Sequence, residues 1–206
     1  MRPQSCSVRA VSVLICSVFA FASTTPPSAS AQEAKFVVEP VVEKRVRKLP
    51  TGALYWRLEN FPTLNEAEGT ASSTSLVAQV AGKVWMFTLG PKDGATAGGS
   101  KVAEIGPIPA VSASEYLLRV NRAGGAPGVK TQIHTHPGPE AFYVLAGRMG
   151  QRTPHGVTYA EAGASMVGHG ADTPMEVFSA GTTDLDQFAI FVVDANRPFS
   201  SRASFD

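Results

Sequence analysis

The sequence predicts an all-β protein, a sandwich or barrel of short strands. Apolar runs are brief and rich in β-branched and aromatic residues, and turn residues interrupt them throughout, with 19 glycines and 15 prolines in 206 residues. No internal repeat and no long amphipathic helical stretch competes with this reading.

The strands follow in order. Residues 36–48, FVVEPVVEKRVRK, alternate valine with charge, placing Lys44, Val46 and Lys48 on one face and Arg45 and Arg47 on the other. Charge of this kind protects a strand edge from stray pairing, so an edge or solvated strand is expected rather than an anion-binding patch. Residues 54–61, LYWRLENF, form a second strand with Tyr55 and Trp56 supplying buried area. Residues 65–71 suit a short helix or loop. Residues 75–80 and 83–89 read as a strand pair turning at Ala81-Gly82. Residues 91–101, PKDGATAGGSK, lack the spacing of a phosphate cradle and read as a surface connection. Residues 115–121, EYLLRVN, form a strand, and residues 122–128 form a turn-rich link.

The next stretch, GVKTQIHTHPGPEAFYVLAG over 128–147, organises the rest of the chain. His134 and His136 stand two apart in an extended segment, so both imidazoles point the same way. Pro137-Gly138-Pro139 forces a turn, because proline fixes φ and has no N–H for a ladder. Glu140 then opens the strand Ala-Phe-Tyr-Val-Leu-Ala. Two imidazoles and one carboxylate make a facial set that suits a divalent transition metal and leaves coordination positions open. The plain alternative is a hairpin whose histidines satisfy local hydrogen bonds.

Composition bounds the partners and the address. A formal net charge of +1 with 17% charged residues shows none of the basic excess of a nucleic-acid binder. Residues 1–31 have the form of a secretory signal: Arg2 and Arg9, an apolar core from Val11 to Ala22, and Ser28-Ala29-Ser30-Ala31 as a cleavage site before Gln32. The apolar core is too short for a comfortable span. Cleavage after Ala31 removes both cysteines, Cys6 and Cys16, so the mature chain is expected to have no disulfide or thiol chemistry. It is expected in the periplasm or outside the cell, with no membrane attachment and no nucleic-acid partner. A lipoprotein reading at Leu14-Ile15-Cys16 is weak, because a bulky residue precedes the cysteine.

The 128–147 stretch resembles the first signature of the cupin superfamily, G-x5-H-x-H-x3-E-x6-G, with Gly128, His134, His136, Glu140 and Gly147 all in register. The resemblance covers about a tenth of the chain. It implies a jelly-roll barrel over residues 106–206, with residues 32–105 adding strands that pack on it, and pairing into a homodimer through the early strands. It also implies a second signature, roughly G-x5-7-P-x-G-x2-H-x3-N, whose histidine is a fourth metal ligand. The matching segment is GASMVGHGADTPMEVFS, residues 163–179. Gly163 fits, but Gly170, Asp172, Met175 and Ser179 stand at the proline, glycine, histidine and asparagine positions.

Three readings of that departure stay open. His134, His136 and Glu140 hold iron, manganese, zinc or nickel as a triad with Met175 as packing; or Met175 adds a soft thioether that favours copper; or the barrel is metal-free. His169, six residues before Met175, is a conceivable replacement ligand, and His155 sits at an expected hairpin tip. Glu176 has the wrong parity for a ligand. Gln132, Phe142 and Val144 share parity with the candidate ligands and are expected to line the interior, whereas Tyr143 is expected in packing or an interface. The implied functions are a metal-dependent enzyme of dioxygenase, isomerase or lyase type acting on a small organic molecule, or a non-catalytic periplasmic binding or structural module. No catalytic residue is assignable from spacing, and fold alone does not choose.

Overall fold

A computed structural model describes residues 34–205. The expected signal segment, its cleavage site and both cysteines lie outside them. The described elements are β1 (Val37–Val46), β2 (Tyr55–Phe61), α1 (Leu64–Thr70), β3 (Ser75–Val80), β4 (Lys83–Gly90), β5 (Ser100–Ile105), β6 (Tyr116–Gly125), β7 (His134–Thr135), β8 (Glu140–Ala146), β9 (Arg148–Thr153), β10 (Gly156–Glu161), β11 (Ser165–Val167), β12 (Glu176–Ser179), β13 (Leu185–Asp194) and β14 (Ser201–Arg202). The protein is therefore all-β with one short helix, and every strand pairing is antiparallel. None of the described helices is long and apolar enough to cross a membrane.

A five-stranded sheet in the order β1-β6-β13-β8-β11 is the central wall. Facing it are β10-β9-β12 and the short pair β14-β7, joined by single bridges from Lys130 to Phe178 and from His134 to Met175. From β6 onward the chain crosses between the two sides at almost every step: β6, β8, β11 and β13 lie in the wall, and β7, β9–β10, β12 and β14 lie opposite. That zigzag is the jelly-roll arrangement of a barrel.

The wall also has an outer face. A fourth sheet, β3-β4-β2-β5, packs there, and its Trp56, Leu58, Trp85, Phe87 and Leu89 share one core with Leu118, Val120, Phe188, Ile190 and Val192 of the wall. Phe188 meets Trp85 and Phe87 edge-on at 5.0 and 5.1 Å. Strand alternation sends the neighbouring residues of β13, Ala189, Phe191 and Val193, into a second core inside the barrel, with Phe142, Val144, Met149 and Val177. The described residues all fall in one compact unit.

β1 is an edge strand, as its charges indicate, and it pairs with β6 of the wall. The turn at Ala81-Gly82 puts both residues at positive φ, +50° and +74°, the two-residue hairpin geometry that matches strand twist. Two expectations need correction. β6 does not end at Asn121 but runs to Gly125, because Gly124 sits where a Cβ would strike the Leu185 carbonyl of β13, and only glycine permits that close pairing. The loop 91–101 is not a free connection. Thr96 donates from its N–H and its hydroxyl to Glu59, at 2.9 and 2.7 Å, and Glu59 is a buried partner of Arg57 at 3.0 Å.

Candidate functional site

The signature glycines set the frame. Gly128, Gly147 and Gly163 have φ of +83°, +74° and +81°, a region that side chains disfavour, and they turn the chain before the histidine segment and around β8. The histidine segment itself is barely a strand. β7 is two residues long, closed on one side by Met175 and on the other by β14, where His134 stands opposite Arg202.

His134 and His136 are neighbours, ring centroids 4.9 Å apart. Each has its Nδ1 at a main-chain carbonyl: His134 at Gln132 O, 2.8 Å, and His136 at Phe199 O, 2.6 Å. A carbonyl only accepts, so Nδ1 carries the proton in both rings and Nε2 is left with its lone pair. Metal-ligating histidines are commonly held in this way, one ring nitrogen on a carbonyl and the other left to face the ion. His136 Nε2 lies 3.9 Å from Glu140 Oε2, and both side chains are buried. On its other oxygen Glu140 accepts from Gln151 Nε2 at 2.7 Å, and the same nitrogen approaches Met175 Sδ at 3.5 Å.

Burial decides the charges here. It pushes the Glu140 carboxyl up to about 8, against a smaller lowering by the Gln151 hydrogen bond. It pulls His136 down to about 4, against the Phe199 carbonyl, which favours the charged ring. At neutral pH the pair is neutral, a protonated carboxyl beside a neutral imidazole, and a cation placed between them would draw the proton from Glu140.

The metal ligands expected from the sequence come together only in part. His136 and Glu140 converge, Met175 reaches them through Gln151, and His134 lies beside His136 with its Nδ1 on the Gln132 carbonyl. Among the described residues no three His, Cys, Asp or Glu side chains close into a metal-holding group. The donor types fit a transition metal, with two imidazole Nε2 atoms and one buried carboxyl. Gly168 lies over Glu140, and a Cβ there would meet Glu140 Cγ at 2.6 Å, so this loop closes the carboxyl off from that side.

Other expectations sort clearly. His169 is not at this cluster: its Nε2 is 3.4 Å from Thr153 Oγ1 and its ring stacks near His155 at 5.2 Å, with burial the main cause and His155 the lesser one lowering its pKa. His155 is at the turn between β9 and β10. Glu176 pairs with Arg152 and Lys130 on the far face. Tyr143 packs against Trp85 at 6.0 Å. Gln132 and Phe142 line the cavity, whereas Val144 is core beyond it.

That cavity, about 350 Å³, opens beside His134, His136 and Glu140 and runs between the wall and the facing strands. Sequence reasoning missed most of its lining: Asn121 and Gln187 from the wall, and Phe191 and Phe199, whose rings bracket His136 at 4.7 and 4.8 Å. Strand parity would have found Asn121 and Gln187, since both are polar residues on the inward face of apolar strands.

No protein-family model and no curated protein matches the chain. Similar solved structures include a cupin-like protein from Thermotoga maritima MSB8, 16% identical over 42% of this chain and 64% of that one, TM-score 0.38. A double-stranded β-helix protein from Klebsiella pneumoniae is 20% identical over 43% and 76%, TM-score 0.37. A DMSP lyase from Ruegeria pomeroyi DSS-3 is 15% identical over 41% and 42%, TM-score 0.36. The chain thus spans under two thirds of the Thermotoga protein and under half of the lyase, and likenesses of this size say nothing about its activity.

Proposed function

We propose that the chain is an exported cupin-type barrel that holds a divalent transition metal at His134, His136 and Glu140 and takes a small organic molecule into the adjoining cavity. The observation that supports this most is the buried pair of His136 Nε2 and Glu140 Oε2 at 3.9 Å, with both imidazoles held by carbonyls at Nδ1. Two ligands of one ion can stand at such a separation when each bond is about 2.0–2.2 Å. In the variant of this reading that favours copper, Met175 adds its thioether, which the 3.5 Å approach of its Sδ to Gln151 Nε2 beside Glu140 supports, and Met175→His then loses the copper preference. A bound metal would supply a Lewis acid or an O2 site. The protein's own residues orient the two rings and shield Glu140 from water, and Gln151 Nε2 donates to Glu140 Oε1, which favours the charged carboxylate that a cation needs. Dioxygenase, isomerase and lyase chemistry all remain compatible with that arrangement.

The metal-free reading has one observation in its favour: Glu140 is already satisfied as a neutral carboxyl by Gln151 and needs no cation. Titrating zinc, manganese, iron(II), nickel and copper into wild type, His136→Ala and Met175→His separates the two. The metal reading expects one ion per chain in wild type, and in His136→Ala a loss exceeding the ~10–100-fold that removal of an outer partner costs. Met175→His should bind more tightly than wild type. If all three proteins stay metal-free with every ion, the barrel is a metal-free binding or structural module. Export and a homodimer are part of the proposal, the latter supported by Val37, 51% exposed on β1, the edge strand of the wall among the described residues. An amino terminus other than Gln32 in exported protein, or a monomer by light scattering at micromolar concentration, would remove these two points.

A further inference from the structure

The cavity has a second polar end, remote from Glu140. On β13 the inward residues are Gln187, Ala189 and Phe191, and Phe191 stands opposite Glu140. Gln187 is four residues further along, roughly 13 Å at strand rise. It is 1% exposed, it lines the cavity, and its Oε1 accepts no hydrogen bond from the protein. A buried amide oxygen without a donor is destabilising, and a ligand that donates to it recovers that loss. One strand away Asn121, paired with Ala189 and 2% exposed, also lines the cavity, and its Oδ1 accepts from Arg119 Nε at 2.8 Å. Ala123 stands beside Gln187, and between the ends Ala189, Phe142 and Val177 are apolar, while Asn121, level with Ala189, has its Oδ1 already engaged by Arg119. At the His134 end, Arg202 of β14 lines the opening, and no carboxylate among the described residues pairs with it.

We propose that the cavity takes an elongated molecule with an apolar body, an anionic carboxylate at the Arg202 end and a hydroxyl or amine at the other, whose hydrogen is donated to Gln187 Oε1. The proposal rests on the cavity being the small-molecule site and names the class of molecule it selects. Polar groups inside an apolar pocket discriminate strongly because an analogue lacking the partner leaves them unpaired.

The test uses isothermal titration of the purified protein with 8-hydroxyoctanoate, octanoate and 1,8-octanediol. Wild type is expected to bind the hydroxy acid about tenfold more tightly than octanoate, the scale of one good hydrogen bond. Gln187→Leu should bring the two acids within about twofold by losing hydroxyl preference while octanoate affinity holds. Gln187→Met, closer in shape, serves if the leucine variant does not fold. Arg202→Ala should weaken both acids and leave the diol unchanged. Equal affinity for the two acids in wild type, a hydroxyl preference that survives at position 187, or no binding of any of the three overturns the ligand class. Metal content of the Gln187 variant, read in parallel, should equal wild type. A failure of the ligand series with metal retained removes this proposal alone, while wild type without metal removes the metal site alone.

Discussion

Gln151 belongs to no motif, and yet it joins Glu140 to Met175. Its Nε2 donates to the one at 2.7 Å and approaches the other at 3.5 Å, while its Oε1 has no donor. The histidines and Glu140 are legible because a fixed spacing singles them out. Gln151 is legible only through its company: Met149, Gln151 and Thr153 alternate inward on β9, and a glutamine among inward positions is out of place unless something there needs it. Its role is to position Glu140. Gln151→Leu keeps the shape and removes the orphan oxygen, but it leaves the buried Glu140 Oε1 without its donor, so stability should fall by about 1–3 kcal/mol with the fold kept. Metal affinity should fall about 10–100-fold, as for other outer partners. Calorimetric titration beside a thermal melt reads both, and an unchanged affinity would reduce Gln151 to packing.

At the scale of elements, short-range chemistry was readable and long-range pairing was not. The Ala81-Gly82 hairpin and the turns at Gly128, Gly147 and Gly163 depend on local φ preference, which residue type announces. β7 is two residues long and its partner, β14, lies 66 residues away, so nothing in the local pattern of either segment marks the other. The same limit explains Phe199: its carbonyl fixes His136 and its ring packs on Phe191 at 5.0 Å, but it stands at the end of the chain in a Pro-Phe-Ser turn that reads as a loop. The loop carrying His169 gives a test at this scale. Its pKa is lowered from the ordinary value by burial and by His155, so the folded state binds fewer protons than the unfolded one. Stability is then lost as pH falls from about 6.5 toward the folded pKa. Amide protection over residues 168–172, corrected for the intrinsic pH dependence of exchange, should fall across that window in wild type and hold in His169→Gln. An equal fall in both would assign the effect elsewhere.

The whole molecule is built on a wall used twice. One face of β6, β13 and β8 closes the barrel and its cavity, and the other is the floor of the core shared with β2, β3 and β4. The division near residue 105 follows from the resemblance to the cupin signature; β1, which precedes it, pairs with β6 of the wall, and Trp85 and Phe87 lie edge-on to Phe188. Strands that complete the outer core thus back the same sheet that carries Glu140, Asn121 and Gln187. Phe188 is fully buried at the centre of that contact. Phe188→Ala should cost about 3–5 kcal/mol, the loss of a large buried aromatic, without touching the cavity. If the two layers stabilise one another, the tryptophan signal from Trp56 and Trp85 in the outer sheet and far-ultraviolet circular dichroism should report a single coincident transition, shifted to lower temperature in the variant. Two separated transitions, with the tryptophan signal lost first, would show instead that the outer sheet melts off a barrel able to stand alone.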